Sequence, residues 1–201
     1  MLNRLFKKKK QEQQKIPKWL EIFQELTKDR DSCYYDISLL NNDAPKKEDV
    51  IQLESMIKYK FPAEFASFLV SPYSGLYVGV KCVIWDEPKE VEIRPAWAFQ
   101  SAITTFSISE VIPWEFNLRY WHQEMFLQHK IDDLLPIMAR NGTSIKYCLN
   151  PEGNLVEWDS DYPEDKKELK ESFFDLLANE LTELDSRRTR FQNGEHLKGE
   201  T

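Results

Sequence analysis

The sequence predicts an α+β protein with a mostly antiparallel central sheet, flanked by N-terminal helices and one C-terminal helix. Three observations predict this class. Apolar residues recur at helical spacing near both ends of the 201-residue chain, β-branched and aromatic runs lie between them, and tight-turn sequences join those runs. The length favours one domain with extensions over two domains.

The leading helices are predicted from their start signals and from apolar periodicity. Residues 1–15 are polar and basic and predict a flexible tail, after which Pro17 begins a short amphipathic helix. Residues 29–45 predict a connecting loop. A second helix begins at Pro45, and a third, shorter helix follows Pro62.

Strands are predicted for the centre of the chain, where Val, Ile and aromatic residues are concentrated. The predicted strands cover residues 76–85, 90–94, 97–106, 134–139, 144–149 and 155–158. A helix over residues 116–128 interrupts the series. Asn141-Gly142, a strong hairpin signal, joins two of the last three strands and predicts a meander.

The last predicted helix covers residues 166–184, and its apolar stripe contains one polar residue, Glu180. Residues 185–201 are polar and predict a C-terminal tail. The predicted domain is therefore residues 16–184.

Charge is distributed unevenly along the chain. The net charge is −7, yet residues 1–18 carry seven basic residues and one acidic residue, so the remainder carries −13. An acidic body repels phosphate backbones, which argues against nucleic-acid binding. The same charge attracts a basic protein partner.

Other features predict a cytoplasmic protein without stable membrane insertion. Cys33, Cys82 and Cys148 are widely spaced, which favours free thiols, and no apolar run reaches membrane-spanning length. The basic N-terminus lacks the apolar segment of a secretory signal.

The motifs that accompany catalysis or cofactor binding are missing, which predicts a protein that is not an enzyme and needs no cofactor. Asp159-Ser160-Asp161 lacks the remaining ligands of a calcium loop. His122 and His129 are seven residues apart, whereas helical metal sites use shorter spacings.

Candidate partner-binding residues combine aromatic rings with carboxylates. Trp85 and Trp158 each end a predicted strand beside acidic residues, an arrangement that suits recognition of a basic surface. Ordinary surface charge is the alternative. Trp97 and Trp114 are predicted to lie in the core. The candidates are Glu54, Trp85, Asp86, Glu87, Glu157, Trp158, Asp159 and Asp161.

Glu54 is a candidate because it borders the apolar stripe of the second helix, which Val50, Leu53 and Ile57 form. One interpretation is a carboxylate that faces a ligand. The alternative is a boundary residue that caps or pairs locally, since charged residues usually stay at the surface.

The stretch Val50-Ile51-Gln52-Leu53-Glu54 is followed by Phe61-Pro62-Ala63-Glu64-Phe65 and by Phe68-Leu69. This segment resembles the I-x-x-L-E-like and L-P-x-x-[YF] motifs of the SUKH superfamily of bacterial immunity proteins, also called Smi/Knr-like. Residues 135–137, 141–142, 147–149 and 153–158 resemble their later strands and turns. Ser172-Phe173-Phe174-Asp175-Leu176-Leu177 resembles their terminal helix. The matches cover about residues 45–184.

The sequence departs from that pattern at two places. Phe61 replaces the usual Leu before Pro62, and Ser71-Pro72-Tyr73-Ser74-Gly75 stands where Asn-Gly-Gly is typical. The shared motifs occupy core and turn positions, so the resemblance concerns the fold more than the function.

The resemblance implies an immunity protein that binds a toxin domain, often a nuclease, and neutralises it by occlusion. The family also contains yeast regulators of cell-wall synthesis. A scaffold or regulator in envelope synthesis is therefore the alternative that the resemblance leaves open.

Overall fold

The fold is built on one antiparallel sheet in which each strand pairs with the strands that precede and follow it in the chain. The computed structural model describes residues 16–28, 34–39, 44–81, 84, 102–109 and 111–194. Within these ranges there are five α-helices and seven strands, which confirms the predicted α+β class. Over the same ranges, no helix combines the length and the apolarity needed to cross a membrane.

The strands form an uninterrupted meander. They are β1 (Tyr35–Leu39), β2 (Leu76–Val80), β3 (Ala102–Thr105), β4 (Leu135–Asn141), β5 (Ile145–Leu149), β6 (Leu155–Asp159) and β7 (Tyr162–Glu168). Because the strand order follows the chain order, β1 and β7 are the two edges of the sheet that the described strands form.

Two of the five described helices begin after a residue whose side chain caps the first turn. The five helices are α1 (Lys18–Leu26), α2 (Lys47–Ile57), α3 (Ala63–Leu69), α4 (Leu118–His129) and α5 (Phe173–Gln192). The Asn117 side chain accepts hydrogen bonds from the first turn of α4, and the Ser172 hydroxyl accepts one from the first turn of α5. Side-chain acceptors at these positions satisfy N–H groups that a helix leaves unpaired.

Both faces of the sheet are covered. Along β5, Tyr147 and Leu149 belong to the main core, whereas Cys148 belongs to a second, smaller cluster. Successive side chains of a strand point to opposite faces, so the two clusters lie on opposite sides of the sheet. Helices α1, α2, α3 and α5 contribute to the main core, and Met125 of α4 contributes to the smaller cluster.

A buried polar network ties α5 to the sheet. Glu180 is 3% exposed, and its carboxylate accepts hydrogen bonds from Arg140 Nε (2.8 Å), Arg140 Nη2 (2.6 Å) and Tyr147 Oη (2.6 Å). The polar position in the predicted apolar stripe is therefore paired, as a buried carboxylate must be.

Two strands are absent from the sequence prediction. Residues 29–45 are predicted as a loop, but Tyr35–Leu39 form β1, in which only Tyr35 is fully buried. The other strand, β7, has the sequence YPEDKKE and is mostly exposed. Proline and charged side chains are typical of edge strands, which have little apolar pattern by which to be recognised.

The last helix differs from the prediction at both ends. It begins at Phe173 instead of residue 166, because β7 occupies the preceding residues. It ends at Gln192 instead of residue 184. Ion pairs from Arg187 to Glu183 (3.1 Å) and from Arg188 to Asp185 (2.7 Å) continue along this last part of the helix.

Trp114 is also placed differently from the prediction, which assigns it to the core. Its side chain is 56% exposed, because Pro113 begins a short 3-10 turn (Trp114–Phe116) on the surface. Trp97 and the strand predicted over residues 90–94 lie outside the described residues.

Candidate functional site

The β6–β7 hairpin carries four of the predicted site residues, three of which are acidic. Glu157 and Asp159 lie on β6, and Asp161 lies in the turn that leads into β7. Trp85, Asp86 and Glu87 fall outside the described residues. The hairpin is therefore the part of the predicted site that the structure describes most fully.

Hydrogen bonds fix the shape of the hairpin. Glu157 pairs with Lys167, and Asp159 pairs with Tyr162 across the two strands. In the turn, the Asp161 backbone N–H donates to Asp159 Oδ1 (2.9 Å). An aspartate that accepts a bond two residues further on is a common turn device, so this carboxylate has a structural role as well as a charge.

A groove of about 450 Å³ lies at the hairpin and is formed by residues of β5, β6 and β7. It is lined by Ile145, Glu157, Asp159, Tyr162, Glu164, Asp165, Lys166 and Lys167. Residues 157–168 contain six acidic and two basic residues, a net charge of −4. The groove therefore lies in a segment with a concentrated negative charge.

The two lysines of the hairpin are engaged by carboxylates. Lys166 Nζ lies 2.7 Å from Asp133, and Lys167 Nζ lies 3.4 Å from Glu157. In contrast, the exposed carboxylates of Asp161, Glu164 and Asp165 form no ion pair with another described residue. These three charges are available to a partner.

Tyr162 supplies the aromatic ring of this surface. Its side chain is 64% exposed and lines the groove between Asp161 and Pro163 in the chain. The criterion used for the tryptophans, an aromatic residue flanked by carboxylates, also selects Tyr162, which the sequence analysis does not include. Exposed tyrosine is a common anchor in protein interfaces.

Trp158 does not have the exposed ring that its proposed role requires. It is 1% exposed, its Nε1–H donates to the Pro163 carbonyl (3.1 Å), and its ring packs against His129 (5.1 Å). The prediction places it at the surface because a strand pattern does not reveal that α4 covers this face. Trp158 instead holds β6, β7 and α4 together.

Glu54 has the local role that was the alternative interpretation. Its side chain is half-buried, and Oε1 accepts a hydrogen bond from the Phe61 backbone N–H (2.7 Å). It thereby closes the connection between α2 and α3. It is not part of the hairpin groove.

A larger cleft of about 670 Å³ lies where α3, β6 and the start of α5 meet. The Glu64 carboxylate in it accepts a hydrogen bond from the Phe174 backbone N–H (3.0 Å), so it already caps α5. We favour the hairpin groove as the functional site because Glu164 and Asp165 in its lining, and Asp161 in the adjoining turn, are exposed and form no ion pair with a described residue.

Reactive groups elsewhere in the described part of the chain do not form a comparable site. Burial raises the pKa of the Cys148 thiol, which disfavours the nucleophilic thiolate. No group of three or more His, Cys, Asp or Glu residues that could hold a metal ion occurs among the described residues.

The chain matches no protein-family model, and no curated protein is significantly similar to it.

Proposed function

We propose that this protein is an immunity protein that binds a basic toxin domain and blocks it by covering its active surface. The observation that carries the proposal is the β6–β7 hairpin. There the exposed carboxylates of Asp161, Glu164 and Asp165 form no ion pair with a described residue and lie beside the exposed ring of Tyr162. The resemblance of residues 45–184 to SUKH proteins supports the same role.

The chemistry of the expected target favours such a surface. A nuclease needs a basic groove to hold the phosphate backbone, and a rigid acidic hairpin can occupy that groove in its place. Complementary charge accelerates association and discriminates against wrong partners more than it adds affinity. We therefore expect binding to be faster at low ionic strength.

The proposed mechanism is occlusion, in which no bond is made or broken. The hairpin contributes charge and shape, and Tyr162 contributes an apolar contact that excludes water. The two-stranded frame holds the carboxylates in position before the partner arrives, which lowers the entropy lost on binding.

Under this proposal a toxin domain is encoded beside this gene, and that domain is the test partner. We expect the two proteins to co-purify and cells that make both to survive. The variant Asp161→Asn, Glu164→Gln, Asp165→Asn should bind roughly tenfold more weakly at low salt, since each exposed ion pair contributes about 0.2–1 kcal/mol. Calorimetry at two salt concentrations measures the affinity of each protein and its dependence on ionic strength.

A matched control removes the same charge elsewhere. The variant Glu21→Gln, Glu48→Gln, Glu152→Gln changes three exposed carboxylates outside the hairpin and should bind within about twofold of the wild type. A protein that neither binds the toxin domain nor protects cells from it refutes the proposed function. Equal losses in the two variants would refute the hairpin as its site.

A further inference from the structure

Trp114 and Tyr120 form an aromatic pair on the surface at the start of α4. Their ring centroids are 4.6 Å apart with an interplanar angle of 61°, and Trp114 is 56% exposed. A tryptophan buries more apolar area than any other side chain when it is covered, so leaving it in water has a cost. Exposed tryptophan is typical of an interface.

The backbone beneath the pair is firmly held. The Ser107 N–H donates to the Phe116 carbonyl (2.9 Å), and Trp121 Nε1–H donates to the Glu115 carbonyl (2.7 Å). Asn117 caps the helix that carries Tyr120. The exposure of Trp114 is therefore a property of an ordered segment.

Two carboxylates lie close to the pair. Desolvation by neighbouring atoms raises the pKa of Tyr120, and the negative charges of Glu124 and Glu115 raise it further. Arg119 precedes Tyr120 in the first turn of α4, so the side chains of Glu115, Arg119 and Glu124 together carry a net charge of −1. The surroundings of the rings therefore favour a cation.

Elsewhere in this protein, lysine and arginine side chains lie over aromatic rings. Lys146 Nζ lies 5.1 Å from the centroid of the Trp121 ring and 5.5 Å from that of Trp158. Arg188 lies 4.3 Å from the centroid of Tyr34. No lysine or arginine of the described residues covers Trp114 in this way.

We propose that the Trp114–Tyr120 pair, with Glu115 and Glu124, is a second contact surface that receives an arginine side chain of the basic partner. The identity of the partner rests on the proposed function, but the surface is separate from the hairpin groove. Arginine fits better than lysine because its planar guanidinium stacks on a ring while its N–H groups donate to nearby carboxylates.

The experiment uses the full chain labelled with ¹⁵N and two probes, a nine-residue arginine peptide and a nine-residue lysine peptide. The indole N–H signal of Trp114 is assigned from the Trp114→Phe variant. We expect the arginine peptide to shift this signal at concentrations where the lysine peptide leaves it nearly unchanged. Trp114→Ala and Glu115→Gln/Glu124→Gln should each weaken binding of the toxin domain about three- to tenfold.

Leu127→Ala is the matched control. Leu127 is 52% exposed on α4, the helix that carries Tyr120, but its side chain has no ring. It should leave both readouts unchanged. The inference is overturned if the peptides leave the Trp114 indole unmoved, or if Trp114→Ala binds the toxin domain as tightly as Leu127→Ala does. A chain that binds no toxin domain but shows the arginine-specific shift refutes the proposed function and leaves the arginine surface standing.

Discussion

At the scale of single residues, the structure separates carboxylates that hold the fold from carboxylates that face solvent. Glu54, Glu64 and Glu180 each accept hydrogen bonds from the protein itself. Asp161, Glu164 and Asp165 are exposed on the hairpin. Sequence position does not distinguish the two groups, because both are acidic residues near apolar ones.

Replacing Glu54 tests this separation. Glu54→Ala removes the acceptor of the Phe61 N–H and should lower the free energy of unfolding by about 1–2 kcal/mol. Glu54→Gln keeps an amide oxygen in place and should lose less. Urea denaturation measures both effects. Unchanged stability together with weaker binding of the partner would show that the carboxylate faces the partner after all.

At the scale of elements, the turn between β5 and β6 docks on the connection between α2 and α3. The Lys60 N–H donates to the Pro151 carbonyl (3.2 Å), and the Gly153 N–H donates to the Asn150 carbonyl (2.9 Å). Gly153 has a φ of +89°, and a Cβ built there would lie 2.6 Å from the Lys60 carbonyl oxygen. Two segments distant in sequence thus meet backbone to backbone.

Gly153→Ala should therefore destabilise the fold by about 2 kcal/mol or more, through both the left-handed backbone and the contact. Gly194→Ala is the control, because its φ is +71° but no atom of the described residues beyond its chain neighbours lies within 4 Å of the added Cβ. It should cost only the backbone part, about 1 kcal/mol. Urea denaturation of the two variants measures the difference. Equal losses of stability in the two variants would contradict the close contact between Gly153 and the Lys60 carbonyl.

The elements differ in how well the sequence predicts them. The five described helices and strands β2 to β6 are predicted from periodicity and from turn residues such as Asn141-Gly142, although several of their bounds differ. The prediction misses β1 and β7, because their stability comes from pairing with a neighbour instead of from an apolar face. Long-range pairing of this kind leaves little trace in the local sequence.

The candidate site was predictable only in part, for a related reason. Its charges are visible in residues 157–161, but the side chain that supplies the exposed ring depends on which face α4 covers. That coverage buries Trp158 and leaves Tyr162 exposed. The carboxylates of Glu164 and Asp165 belong to the site only because β7 is a strand and not the start of a helix.

At the scale of the whole molecule, three buried phenols make stability depend on alkaline pH. Burial raises the pKa of Tyr35, Tyr59 and Tyr147 above the usual value of 10.0. Nearby negative charges act in the same direction, among them Asp185 beside Tyr35 and Glu180 beside Tyr147. In the folded state these phenols therefore keep their protons at pH values where the unfolded chain has lost them.

The sign of the effect follows from proton binding. Below pH 10 the phenols are protonated in both the folded and the unfolded chain, and the folded state has its full stability. Above pH 10 the unfolded chain binds fewer protons than the folded one, so the free energy of unfolding falls as pH rises. Each phenol should contribute a loss of about 1.4 kcal/mol per pH unit. Urea denaturation between pH 9 and 11 measures the slope, which should be smaller in Tyr59→Phe. A flat profile over this range would contradict the prediction.

The packing of α1 against α5 has a consequence for biosynthesis. Trp19 and Phe23 are buried in the main core, and the Trp19 ring lies 5.9 Å from that of Phe174. About 150 residues separate the two helices, so at roughly 5–20 residues per second the ribosome needs on the order of ten seconds to make the second one. During that interval the aromatic side chains of α1 lack their final cover. A message truncated before α5 would consequently yield a polypeptide with bare indole and phenyl rings, the kind of surface that chaperones hold and proteases remove.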